Sequence, residues 1–198
     1  MTDDRVERIL AAAYTCFTRH GVRRTTMDDI AAAAEMSRPA VYQYVRNKDD
    51  AFRRLAQRLY DGALADARAA AAVDGPLAER LHDLLAVKLG LTLQLWRDSP
   101  HAAELLDAGA RLSGELVEGF TAELRELATT TVAAAARRGE VDLRHAGAIG
   151  AVEVADIALA LTRGLEADLT DPELPRRRLR RGVELLVAGI TPHTHGGT

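Results

Sequence analysis

The stretch that decides the fold runs from Thr25 to Lys48, TTMDDIAAAAEMSRPAVYQYVRNK. Thr26 is followed three residues later by Asp29, the spacing of a capping box, and this predicts a helix from Met27 to Ala34 with Ile30 and the alanines turned to a core. Glu35 and Met36 read as a short turn. Ser37 then caps a second helix, Arg38 to Val45, with Pro39 in the first turn, where a missing N–H costs little. Two short helices joined by a turn of about three or four residues make a helix-turn-helix, whose second helix enters the DNA major groove. Small side chains at Ala31, Ala32, Ala33 and Ala34 let the two helices cross closely. The second helix carries polar and aromatic groups on the side a core does not need, a pattern that a generic helical bundle has no reason to adopt.

Outward from this stretch the helical period persists. On the N-terminal side Val6, Ile9, Leu10, Ala13 and Phe17 define an amphipathic helix over about residues 4–20, ended by Gly21. On the C-terminal side Asn47 caps a long helix from Lys48 to about Ala72, with Phe52, Leu55, Ala56, Leu59 and Ala63 as its buried stripe. Asp74-Gly75-Pro76 and Ser99-Pro100 are breaks, and a strongly apolar helix, Leu77 to Trp96, lies between them. Residues 100–138 are one or two helices, with a break near Gly109 left open. A very apolar helix covers about 146–165, a turn follows at 168–175, and the last helix shows Leu179, Val183, Leu186 and Ile190 on one face. No stretch alternates as a strand, and no repeat is visible. The expectation is therefore an all-α chain of about nine helices. Its parts are a three-helix DNA-binding head at 1–47, a helical ligand-binding and dimerisation body at 48–191, and a flexible tail at 192–198.

Composition narrows the functional classes. With 47% hydrophobic and 28% charged residues among 198, the chain has a globular rather than a disordered balance. No apolar run reaches the ~18 residues of a membrane helix. The acidic start MTDDRVERIL lacks the pattern of a signal peptide, and Cys16 is the single cysteine, which together fit a reducing cytoplasm. The net charge of -3 does not point to nucleic acid. Locally, however, Arg19, Arg23, Arg24, Arg38, Arg46 and Lys48 outnumber Asp28, Asp29 and Glu35, a basic patch suited to neutralising a few phosphates. There is no phosphate-binding glycine loop, no His-Glu-x-x-His, no nucleophile elbow and no Cys–His metal spacing, so neither an enzyme nor a cofactor is expected. The terminal His193-x-His195 is too short to be a convincing metal site.

Residues 4–50 resemble the DNA-binding head of the TetR family of transcriptional regulators, through ILAAAYTCFTRHG and TTMDDIAAAAEMSRPAVYQYVRNKDD. One departure is Val45, where the family often has phenylalanine; valine can fill the same core site. The resemblance implies a homodimer on palindromic operator DNA, most often a repressor, released by a small-molecule ligand. Arg38 opens the recognition helix, and its guanidinium can bond guanine bidentately or else touch only phosphate. Pro39 and Ala40 are small enough to meet a thymine methyl, and Gln43 can pair with adenine or a phosphate. Tyr42 and Tyr44 match family positions that hold phosphates, although one ring can instead pack against the first helix. Lys48, at the start of the fourth helix, and Thr26, as cap, complete the expected phosphate contacts.

For the body, the resemblance implies a ligand cavity within helices four to seven and a dimer interface built by the last two helices. Candidate lining residues are Tyr60, His82, Leu85, Leu89, Leu93, Trp96, Phe120 and Leu124, each of which can equally be ordinary core. His101 is a further possible donor to a ligand. The apolar helix at 146–165 and its striped partner suit self-association, the alternative being burial within one subunit. Glu153 and Asp156 share a helix face and can attract a cationic ligand or pair with Arg163 or with the run Arg176–Arg181. That run itself reads as a solvated flank. The competing functional class is a helical DNA-binding or interaction protein without ligand control.

Overall fold

A computed structural model describes residues 2–144, 147, 149–167, 169, 171 and 173–192. Among these residues there are eight α-helices and no strand: α1 (Thr2–Arg24), α2 (Met27–Ala33), α3 (Arg38–Tyr42), α4 (Lys48–Ala72), α5 (Leu77–Asp98), α6 (Ala102–Arg137), α7 (Ala151–Leu165) and α8 (Glu173–Ile190). The tail expected at 192–198, with His193 and His195, lies outside the described residues apart from Pro192. The chain forms two compact units, the first from 1–62 and 94–120 and the second from 63–93 and 121–198.

In the first unit, α1 supplies Ile9, Ala13 and Phe17, α2 supplies Ile30, and Val41 and Val45 close the core from beneath the helix-turn-helix. Burying each large side chain of this kind stabilises the fold by about 1.5–3 kcal/mol. Phe17 meets Phe52 of α4 edge to face, ring centres 5.5 Å apart. Val45 is completely buried in that core. Gly21 ends the regular part of α1 with φ 77 and ψ 162, a conformation open essentially to glycine alone. Thr25, itself buried, donates its hydroxyl to the carbonyls of Gly21 and Cys16, and its amide to Gly21 as well.

The same unit includes the junction of α5 and α6, which grips the end of α1. Tyr14 donates to Asp98 at 2.9 Å, Ser99 donates to the carbonyl of Thr18 at 2.7 Å, and the Arg23 amide donates to Glu104 at 2.8 Å. Leu105 and Ala108 are buried in the same core, with Leu95 and Leu112 packed on it. α6 is continuous through Gly109 and deviates instead at Ser113, whose backbone is non-helical (φ -138, ψ 25).

In the second unit, Leu77, Leu81, Leu84, Leu85 and Leu89 of α5, Leu124 and Val132 of α6, Val154 and Ala158 of α7, and Leu179, Val183 and Ile190 of α8 form the core. Glu140 binds the Leu77 amide, satisfying a free N–H at the start of α5, and also pairs with the buried Arg80 and with Arg138. α7 begins at Ala151, later than the expected 146, because the backbone enters through Gly147 at φ 84 and an extended Gly150. Gly182 lets α8 approach α7: a Cβ there would run into Leu161 Cδ2. Asp156 is bonded to Arg125 of α6 at 2.5 and 2.8 Å rather than to α8, with Arg163 adding only charge, so the expected partner is corrected. The arginines of α8 are exposed, and Arg176, Arg177 and Arg181 pair with Glu173, Asp171 and Glu184. No helix among the described residues is long and apolar enough to cross a membrane.

Candidate nucleic-acid interface

The helix-turn-helix is built by two caps and a turn. Thr26 accepts from the Asp29 amide while Asp29 accepts from the Thr26 amide and hydroxyl, a complete capping box that starts α2. These bonds hold the Asp29 carboxyl below its ordinary range, the Thr26 side chain contributing most. α2 ends in a Schellman turn: the Met36 amide reaches back to the carbonyl of Ala31 and the Glu35 amide to that of Ala32. Glu35 occupies the left-handed position of that turn at φ 54, which glycine would adopt more easily. Ser37 then accepts from the Ala40 amide and starts α3.

α3 is shorter than its sequence suggests. Regular helix stops at Tyr42 because the Gln43 and Tyr44 amides turn back three residues, to Ala40 and Val41, tightening the last turn. Val41 is buried beneath it, while Arg38, Pro39, Tyr42 and Gln43 are exposed and Ala40 is half-buried. Arg38 donates to Asp28 at 3.1 Å and to the Tyr42 hydroxyl at 3.4 Å, and its guanidinium carbon stands 5.6 Å from the Tyr42 ring centre. Tyr44 is half-buried against the core and accepts from Arg5 at 3.2 Å. Lys48 donates to the carbonyl of Arg23 at 3.2 Å, tying the start of α4 to the end of α1. Thr26 is exposed. All eight expected DNA contacts thus belong to the first unit, and five of them are exposed.

In the sequence Arg46 counts toward the basic patch and Asp28 against it, with no specific partner for either, and Arg5 has no role. Asp28 and Arg5 meet their partners, Arg38 and Tyr44, across 10 and 39 residues, without a local signal. Arg46 projects from the turn before α4, and its amide and guanidinium both reach Asp50, which Asn47 caps and Arg54 also approaches. Burial raises the Asp50 pKa, but the bonds from Arg46 and the charge of Arg54 outweigh it, and the group ends below its ordinary range.

The expected ligand residues divide between the two units. In the first unit Tyr60 stacks on Phe120, ring centres 4.8 Å apart at 20°, while Trp96 is 45% exposed. In the second unit Leu85, Leu89, Leu93 and Leu124 are buried, and His82 is bonded to Asp83 at 2.7 Å. A cavity of about 400 Å³ in that unit is lined by Ala136, Gly139, Val141, Asp142, Leu143, Arg144 and Pro192, none of which was expected. The sequence also gave no sign of the half-buried Lys88–Glu166 pair, closed at 2.6 Å with Thr92 donating to the same carboxylate.

A capped helix-turn-helix with a solvent-facing second helix, inside an all-helical chain, defines a DNA-binding-regulator class of fold. The family described as bacterial regulatory proteins, tetR family, has a model that matches residues 9–55. Over those residues the chain is similar to the TetR-family head. Solved structures extend the likeness in fold to nearly the whole chain. The fatty acid degradation regulator FadR from Bacillus halodurans is 14% identical, with TM-score 0.69, covering 93% of this chain and 95% of its own. SmeT, in complex with triclosan, is 21% identical, with TM-score 0.70 and coverage of 96% and 93%. A TetR/AcrR-family regulator from Thermobifida fusca is 24% identical, with TM-score 0.70 and coverage of 94% and 98%.

Proposed function

We propose that this protein is a TetR-type transcriptional repressor that binds a palindromic operator as a homodimer and is released by a small-molecule ligand. The observation that carries the reading is α3. Val41 anchors it from below, and Arg38, Pro39, Tyr42 and Gln43 are left to solvent on one short helix. That presentation suits base edges at Arg38, Pro39, Ala40 and Gln43, and phosphates at Thr26, Tyr42, Tyr44 and Lys48. In a two-fold dimer the two copies of α3 must lie about 34–36 Å apart to meet successive major grooves.

Release would work through that separation. α4 has 25 residues, a rod of roughly 37 Å at ~1.5 Å per residue, and contributes residues to both units. A ligand that prefers a shifted α4 lowers operator affinity by its differential binding energy, commonly ~1–3 kcal/mol. The residues proposed to meet the ligand are Tyr60, Trp96 and Phe120 in the first unit, and His82, Leu85, Leu89, Leu93 and Leu124 in the second. The triclosan complex of SmeT supports a search among small molecules.

Selection of bound sequences from random duplex DNA by the purified protein tests the reading. A palindrome with half-sites about one helical turn apart is expected. Arg38→Ala should relax discrimination at one position by ~1–3 kcal/mol. Lys48→Ala should weaken all sequences alike. Binding without any sequence preference would overturn the reading. Operator affinity unmoved by any compound that raises the melting temperature would favour a DNA-binding protein without ligand control.

A further inference from the structure

The pairing of Arg38 with Asp28 and Tyr42 has a use beyond stability. We propose that Asp28 is a positioning residue for specificity: it holds the Arg38 guanidinium in a fixed orientation for a base and cancels its charge towards phosphates. The inference rests on the proposed role of α3 in reading DNA.

Arg38 leaves the first turn of α3 with three constraints. One terminal nitrogen bonds the Asp28 carboxylate at 3.1 Å, the other bonds the Tyr42 hydroxyl at 3.4 Å, and the guanidinium carbon stands 5.6 Å from the Tyr42 ring centre. Asp28 comes from α2 and Tyr42 from the far end of α3, so two helices of the motif fix one side chain. Both partners of the ion pair are exposed, 55% for Arg38 and 66% for Asp28. Such pairs are weak in water, which matters here because the guanidinium must be released or shared when a base arrives.

The consequences for DNA are asymmetric. A free arginine gains from any phosphate, since that attraction is independent of sequence. An arginine already facing a carboxylate gains less from phosphate, and the carboxylate is itself repelled by the backbone. A guanine edge offers two acceptors in the geometry of the guanidinium, and that directional match survives neutralisation. Pre-orientation also removes part of the ordering cost of a long side chain on binding. Asp28 therefore sacrifices affinity for arbitrary duplex and retains it for the correct base pair.

Asp28→Ala, with Arg38→Ala and the double variant, tests this on the full chain. For Asp28→Ala we expect several-fold tighter binding to non-operator duplex and a salt slope steeper by about one, the increment of one added phosphate contact. We also expect a several-fold loss of preference at the base pair read by Arg38. In the Arg38→Ala background, removing Asp28 should leave the preference unchanged. In the free protein, nitrogen NMR should show rotation of the Arg38 guanidinium hindered in the native chain and freed in Asp28→Ala. Unchanged non-operator affinity, salt slope and base preference in Asp28→Ala would overturn the proposal while leaving DNA reading intact. So would an equal loss of preference with Arg38 already gone, or a freely rotating guanidinium in the native chain. Failure of the native protein to bind any duplex selectively would remove the proposed function itself, and this role of Asp28 with it.

Discussion

Glu35 sits at the left-handed position of the turn between α2 and α3, with φ 54, and its backbone amide completes the Schellman bonds of α2. A side chain in that conformation costs roughly 1–2 kcal/mol, which glycine avoids. Glu35→Gly should therefore raise the thermal midpoint of the protein, by an amount equivalent to about 1 kcal/mol, and calorimetry checks it. Tyr14 gives a pH-dependent case. Partial burial and the bond to Asp98 push its phenol up to about 12. The folded chain thus holds that proton more tightly than the unfolded one. The stabilisation is complete below the free phenol's pKa of ~10 and is lost as pH climbs through about 12. Tyr14→Phe should lower stability at neutral pH by about 1 kcal/mol, the usual worth of a hydrogen bond. It should also flatten the decline between those two pH values in denaturant titrations. Neither residue announces itself in the sequence: a glutamate in a turn and a tyrosine on a helix are ordinary, and it is the backbone angle and the distant carboxylate that make them informative.

At the scale of elements, boundaries set by capping chemistry are legible and those set by packing are not. Thr26, Ser37 and Asn47 each cap the helix their position predicts. The end of α1 is marked by Gly21, where a Cβ would meet Glu104 Oε2 at 2.5 Å. By contrast, the deviation in α6 falls at Ser113, which forms with Gly114 a pair of the kind at which helices kink, and not at Gly109. The Ser113 hydroxyl is buried without a hydrogen-bond partner among the described residues. An unsatisfied buried hydroxyl costs about 1–3 kcal/mol. Ser113→Ala should then leave the fold intact and raise the denaturant midpoint; a clear loss of stability would show that the hydroxyl is satisfied in solution.

At the scale of the whole molecule, large apolar side chains stand exposed on α7 and α8. Val152 and Ile157 of α7 and Leu185 of α8 are 46%, 44% and 60% exposed in the single chain. Apolar groups on the two helices proposed for dimerisation would be covered by a second copy. Introducing Ile157→Glu and Leu185→Glu together should weaken self-association at least tenfold, since burying unpaired carboxylates is costly. Sedimentation over a range of concentrations would read this directly, and unchanged association would exclude that face.

The sequence by itself determined the all-helical class, the helix-turn-helix and its caps, and the family likeness of the head. These follow from residues within a few turns of one another, where capping, periodicity and turn chemistry act locally. Only the tertiary structure decided that the α5–α6 junction grips α1, that Asp156 pairs with Arg125, and that Asp28 holds Arg38. Those contacts join side chains whose spacing along the chain carries no periodic signal. Their geometry exists only once hydrophobic burial has fixed which helix faces which.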